Sequence, residues 1–229
     1  MTGSQFSKNN IIDQFKIDEQ KIDVIYNGVS ELFVPIDWEE KEKIKVRYAD
    51  GNEYFIFSGD DSLQENLLNL LKAFSQFKKW QKSSMQLLIV TKNTLSKELV
   101  KTLRLFKYRK DVKLLSNLSQ NELAKVTAGA YSMIYFPLYE SFEVPSLQAM
   151  KCNIPVITTN TGAMPEVCAD AASYTNIDNP KDISEKLMLI FKGEDLRREL
   201  IEKGRKQIQN LSWDKTSELL WKSIVKSSH

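Results

Sequence analysis

Short apolar runs alternate along the chain with longer stretches in which apolar residues recur every three or four positions. Six runs predict β-strands: "IDVIY" (22–26), "YFIFS" (54–58), "QLLIV" (86–90), "VKLL" (112–115), "SMIYFP" (132–137) and "PVITT" (155–159). Several are apolar almost throughout, the pattern of parallel strands covered on both faces. Between them, residues 63–80 place Leu67, Leu70, Leu71, Phe74 and Phe77 at helical spacing, and residues 96–106 do the same with Leu99, Leu103 and Phe106. Residues 119–130 open with a capping box, Ser119 and Glu122. After the sixth run, helices are expected near 180–192, 194–209 and 214–226, the last capped by Ser212 or Asp214. Residues 34–53 are dense in charge and read as a solvated excursion before the second strand.

Strand, helix and strand repeated in this order imply right-handed crossovers. The expected fold is α/β: a doubly wound, Rossmann-like parallel sheet of about six strands with helices on both faces, residues 1–229 forming a single domain. Such sheets bind ligands at the carboxyl ends of their strands. The segments "SGDDSLQEN", "TKN" and "PLYESFEVP" leave strands there.

The 229 residues include 32 basic and 30 acidic ones, a net charge of +2 that makes no case for nucleic acid or an anionic membrane as partner. Cys152 and Cys168 fit neither a zinc site nor a redox pair and read as small buried thiols in a reducing compartment, so a cytoplasmic location is expected. His229, the last residue, is the only histidine, which argues against histidine-based acid–base or metal chemistry. No apolar run approaches the length of a membrane span and no signal peptide is seen.

The richest stretch is "YFPLYESFEVPSLQAMKCNIPVITTNTGAMPE", Tyr135 to Glu166. Pro137 stops a strand, and Pro145 suits the first turn of a helix, where its missing N–H is not needed. That helix start offers free N–H groups to an anion. On physical grounds alone, a reading of Glu140 as a solvated loop residue and Glu143 as an acid favoured by a positive helix end weighs equally with a functional one.

This stretch resembles the donor-site segment of retaining glycosyltransferases of the GT-B fold, in glycosyltransferase family 4 (glycosyl transferases group 1). Phe136, Pro137, Glu140, Phe142, Pro145, Ala149, Met150, Gly162, Pro165 and Glu166 stand where that family has its signature. The likeness extends to "IDVIYNGVSELFVP", "GDDSLQENLLNLLKAF" and "SWDKTSELLW", so it covers nearly the whole chain. It implies a nucleotide-sugar-binding domain whose N-terminal, acceptor-binding partner domain is absent from this chain. The implied partners are a nucleotide-sugar donor and a glycan or lipid-linked acceptor, with no metal or other cofactor and no nucleic acid. Any peripheral membrane association is expected through the N-terminal half. Glu140 would contact the donor sugar and Gln148 the ribose. Gly59, Ser141, Phe142, Glu143 and Val144 would line the donor, with Gly162, Ala163 and Met164 forming a backbone turn beside it and Asn117, Leu118 and Ser119 flanking the base.

Several residues depart from the family pattern. Gln148 stands in place of the second glutamate, and Ser141 and Glu143 in place of glycines. Asp60 and Glu65 occupy the positions of the arginine and lysine that clamp the diphosphate, a local change of four charge units; Lys72 or Lys92 could compensate. The resemblance therefore implies a glycosyltransferase donor domain. The alternative is a catalytically degenerate GT-B domain that serves as scaffold or partner subunit. A sugar-phosphate or nucleotide epimerase is disfavoured by the absence of histidine inside the fold. A lectin-like module using Tyr139 and Phe142 is weaker, since such aromatics more often line a core edge.

Overall fold

A computed structural model of the chain describes residues 1–59, 64–91, 97–137, 144–209 and 211–227, without the side chains of 64, 98, 99 and 227. Six parallel strands form one sheet: β1 (Tyr54–Ser58), β2 (Gln86–Thr91), β3 (Val112–Ser116), β4 (Ser132–Tyr135), β5 (Val156–Thr159) and β6 (Ala172–Thr175), in the order β3-β2-β1-β4-β5-β6. Ten α-helices are described: α1 (Gln5–Phe15), α2 (Trp38–Ala49), α3 (Gln64–Gln81), α4 (Lys97–Leu105), α5 (Gln120–Ala128), α6 (Val144–Lys151), α7 (Met164–Cys168), α8 (Pro180–Lys192), α9 (Glu194–Ile208) and α10 (Trp213–Ser227).

Successive strand residues point to opposite faces, so each strand feeds two cores. Tyr54 and Ile56 join Leu88, Met133 and Val156 against α2, α5, α6 and α7. Phe55 and Phe57 join Leu87, Ile134 and Ile157 against α3, α4 and α8. This double burial explains why β1 and β2 read as nearly continuous apolar runs. Phe77 of α3 meets Phe55 edge-on at 5.4 Å and Phe191 of α8 at 5.3 Å, which locks two helices to one strand.

Tyr54 is fully buried, yet its hydroxyl donates to the Val126 carbonyl at 2.7 Å. Burial pushes the phenol far above its ordinary pKa, so it remains a protonated donor. Tyr54→Phe removes this donor and leaves the carbonyl short of a partner. The expected loss is about 1 kcal/mol, read as a fall in melting temperature of about 2–4 °C for a chain of this size.

Three expectations are corrected. Residues 22–26 are not a strand of the sheet: Val24 makes an isolated parallel bridge to Thr2, with Ile25 N–H donating to the Thr2 carbonyl at 2.8 Å. The run is apolar because Ile22 and Ile25 are buried; its polar groups meet α10, where Ser223 donates to Asp23 and Thr216 to the Tyr26 carbonyl. Residues 38–49, read as a solvated excursion, form α2. Asp37 caps it by accepting from Glu40 N–H at 2.8 Å, and it buries Ile44, Lys45 and Ala49. Lys45 is held by Glu42 and Glu53, so its charge is paired rather than solvated. The sixth strand is Ala172–Thr175, at the sheet edge beside β5. "ASYT" is too polar and too short to stand out, because an edge strand buries less.

The later helices follow expectation closely, α8 over Pro180–Lys192 without a shift. Ser119 and Glu122 form the expected capping box on α5. At α10, Lys215 N–H donates to Ser212 Oγ at 3.2 Å, which settles the cap as Ser212. Neither cysteine is in a disulfide and both are buried, and burial pushes the Cys152 thiol up to about 12. Among the described residues no helix is long and apolar enough to cross a membrane.

Candidate functional site

The strand order reverses between β1 and β4, which are neighbours in the sheet although β2 and β3 lie between them in sequence. In an open parallel sheet this switch point opens a crevice at the carboxyl ends of the strands. At the exit of β1, Gly59 N–H donates to the Val90 carbonyl at 3.1 Å, which holds that exit beside β2. At the exit of β4, the Phe136 carbonyl accepts from Asn66 Nδ2 at 2.9 Å. Asn66 is buried and sits in the first turn of α3, so one side chain ties the helix that follows β1 to the end of β4. Three residues on, Asn69 Nδ2 donates to the Ile177 carbonyl beyond β6 at 3.1 Å. Both asparagines were missed in the sequence. Their signal is two amides three residues apart on the leucine-rich face of α3.

Beyond β4, Val144 opens α6, Pro145 lies in its first turn, and Gln148 is half-buried. Behind β5, Thr158 Oγ1 donates to the Tyr135 carbonyl at 2.7 Å and fixes the β4 and β5 exits to each other. The β5 exit then turns through Thr159 and Thr161, whose hydroxyls lie 2.9 Å apart, to Gly162. Gly162 has φ +65°, the left-handed region that glycine enters without a steric penalty, and no described atom lies within 4 Å of where a Cβ would sit. Bare backbone therefore faces open space. Ala163 and Met164 are buried and anchor the turn from behind.

After β3, Asn117 is exposed with φ +57°, a conformation asparagine tolerates, and Leu118 packs half-buried against the core. Ser119 is engaged in capping: its N–H and hydroxyl both donate to Glu122 Oε2, at 3.1 and 2.9 Å. Those bonds hold the Glu122 carboxyl below its ordinary pKa. Glu65 is exposed in the first turn of α3, where the positive helix end favours an acid. Lys72 is exposed two turns along α3, with Nζ 3.4 Å from Asn69 Oδ1. Glu140, Ser141, Phe142, Glu143, Asp60, Lys92 and Tyr139 lie outside the described residues.

Glu166, in the first turn of α7, is engaged by the chain's N-terminal segments. Its carboxylate accepts from the N–H groups of Gln5 and Phe6, at 2.7 and 2.9 Å, and from Tyr26 Oη at 2.7 Å. It is an anion seated at the start of α1, where unsatisfied N–H groups collect. Burial first, and the bond to Glu166 second, push the Tyr26 phenol up to about 12. The proline–glutamate pair of the signature thus acts as a clasp between α7 and the chain's N-terminal helix.

A parallel sheet reversed at β1/β4, with a glycine turn and a proline-started helix at its carboxyl edge, defines a Rossmann-like architecture of the GT-B kind. The chain belongs to the family "Glycosyl transferases group 1", whose model matches residues 39–207. It is similar to the O-antigen chain mannosyltransferase RfbU of Salmonella typhimurium, 28% identical over 79% of this chain and 47% of that protein. It is also similar to the MMP alpha-(1->4)-mannosyltransferase of Mycolicibacterium hassiacum, 27% identical over 93% of this chain and 50% of that one. The chain spans about half the length of these curated relatives. Its fold matches that of Anabaena HepE, solved with UDP and glucose, with a TM-score of 0.86 at 15% identity over 98% of this chain and 62% of that one.

Proposed function

We propose that this chain is the donor-binding half of a retaining glycosyltransferase of the family 4 type. It would hold a nucleotide-activated sugar for transfer to a glycan or lipid-linked acceptor bound by a second domain, on the cytoplasmic side of polysaccharide assembly and without a metal. The observation that carries this reading is the switch point: Asn66 ties α3, the helix that follows β1, to the exit of β4, and the signature residues follow those two strands in the chain. Two curated relatives are mannosyltransferases, which makes a mannosyl nucleotide the first donor to try.

In this reading Glu140 accepts from sugar hydroxyls, Gln148 from the ribose, and the Gly162 turn offers backbone to the donor. Family 4 retention needs no enzyme nucleophile; positioning and leaving-group stabilisation carry the rate. A specific observation favours a second reading. Glu65 places an anion on α3's first turn, where the family uses a cation. A domain that keeps this frame without a cationic clamp would serve as a scaffold or partner subunit. Calorimetric titration with nucleoside diphosphates and their sugar conjugates separates the two. Donor function predicts saturable binding, with Glu140→Ala weakening the sugar conjugate more than the bare diphosphate. The scaffold reading predicts millimolar affinity or none.

A further inference from the structure

The near-balance of charge over the whole chain conceals a local excess. Residues 97–111 hold Lys97, Lys101, Arg104, Lys107, Arg109 and Lys110 against Glu98 and Asp111, a net +4 in a chain whose total is +2. The one acid among them with a described side chain is already spent: Asp111 pairs with buried Lys78 at 3.2 Å. The six cations are exposed, and none has an ion-pair partner among the described residues. Unpaired like charges repel each other, so keeping them together is unfavourable unless an anionic surface neutralises them.

Helix α4 arranges this charge on one side. Leu103 is buried, and Val100 and Phe106 pack against the core. At 100° per residue, Lys101 and Leu105 fall opposite that apolar side, with Lys97 and Arg104 on the flank next to Lys101. Leu105 is 78% exposed, more than any other large apolar side chain among the described residues. The Lys78–Asp111 pair brings the C-terminal end of α3 to the same region, where Lys79, Trp80 and Lys82 are exposed. Cations beside an exposed leucine and an exposed tryptophan match an anionic lipid surface, which offers phosphates to the former and an acyl boundary to the latter. A nucleic acid or acidic protein would use the charge but leave Leu105 unexplained.

We propose that α4 and the basic segment through Lys110 form a peripheral docking face for anionic phospholipid bilayers. This face belongs to the described half itself, on the crossover between β2 and edge strand β3, and does not depend on the donor site. The test is vesicle flotation of the full chain, comparing neutral phosphatidylcholine with vesicles containing about a third phosphatidylglycerol, at low and high salt. Binding is expected to the anionic vesicles only and to fall steeply with salt. Neutralising Lys101, Arg104 and Lys107 together to Gln is expected to weaken it about a hundred-fold, from roughly a fivefold loss per cation. Leu105→Ser is expected to weaken it several-fold at unchanged charge. Melting temperatures of these exposed variants, measured alongside, should match the parent, which excludes misfolding as the cause. Equal binding to neutral vesicles, no binding to either, or no loss in the triple variant overturns the proposal. So does vesicle binding that is indifferent to Leu105 and is matched by heparin or duplex DNA, which would make the face a general polyanion site.

Discussion

Glu166→Ala is expected to release α1 from the body of the domain. The helix has no fully buried residue, and an eleven-residue helix is not stable alone in water. Phe6 packs half-buried against the core, and the Glu166 carboxylate adds a polar anchor, taking two backbone N–H groups and the Tyr26 hydroxyl from segments some 140–161 positions away. Ser4, buried and capping Ser7 N–H, seats the same turn but touches none of those donors. At about 1 kcal/mol for each lost bond, local docking weakens by about 3 kcal/mol. Amide exchange across α1 should then speed up about a hundred-fold while the sheet core is unaffected. Glu166→Gln, which keeps an acceptor but not the charge, should fall between. The clasp also has an alkaline limit. The folded pKa of Tyr26 lies at about 12, above the ordinary 10, so folding favours the protonated phenol. Its contribution is fully present below pH 10 and is lost as pH rises towards 12, a step that Tyr26→Phe should abolish. Unchanged α1 exchange in Glu166→Ala would contradict the clasp.

The second large effect is a gain. Glu65→Lys is expected to tighten binding of nucleoside diphosphates about ten-fold. Two unit charges 4 Å apart interact by roughly 4 kcal/mol at an effective dielectric of about 20. Glu65 is exposed, so solvent and salt remove most of that, and about 1.4 kcal/mol of retained difference gives the ten-fold factor. The change takes an acid from the first turn of α3, where it is worth about 0.3–1 kcal/mol to the helix. A modest fall in melting temperature should therefore accompany tighter binding. If affinity does not change, the diphosphate does not lie against the start of α3.

The sequence revealed the frame better than its fastenings. Strands β1 and β2 were legible because two cores bury both of their faces. The 22–26 run carries the same local signal for a different cause, burial with its polar groups tied to α10, and composition cannot tell the two apart. Helix α2 was hidden by its charged surface: Ile44 and Ala49 carry most of its apolar burial, while ion pairs cover the rest. Strand β6 was hidden by its place at the edge.

The turn at Gly162 was implied by the family resemblance, and its left-handed backbone is found there. The contacts of Asn66 and Glu166 were not legible. Their partners lie 70 and more than 140 positions away, and no local pattern encodes a contact made only after the sheet has formed. The basic face of α4 was masked by averaging: +2 over the chain says nothing about +4 over fifteen residues.

The central claim is that the β1/β4 switch point holds a sugar nucleotide. Calorimetric titration of the chain with UDP, GDP and ADP and with their sugar conjugates, repeated on Glu140→Ala, tests it most directly. The donor-domain account predicts saturable binding of one base, tighter for the sugar conjugate than for the bare diphosphate, with Glu140→Ala erasing that difference. Millimolar or undetectable binding of all of them by the folded chain would contradict it and leave the scaffold reading in its place.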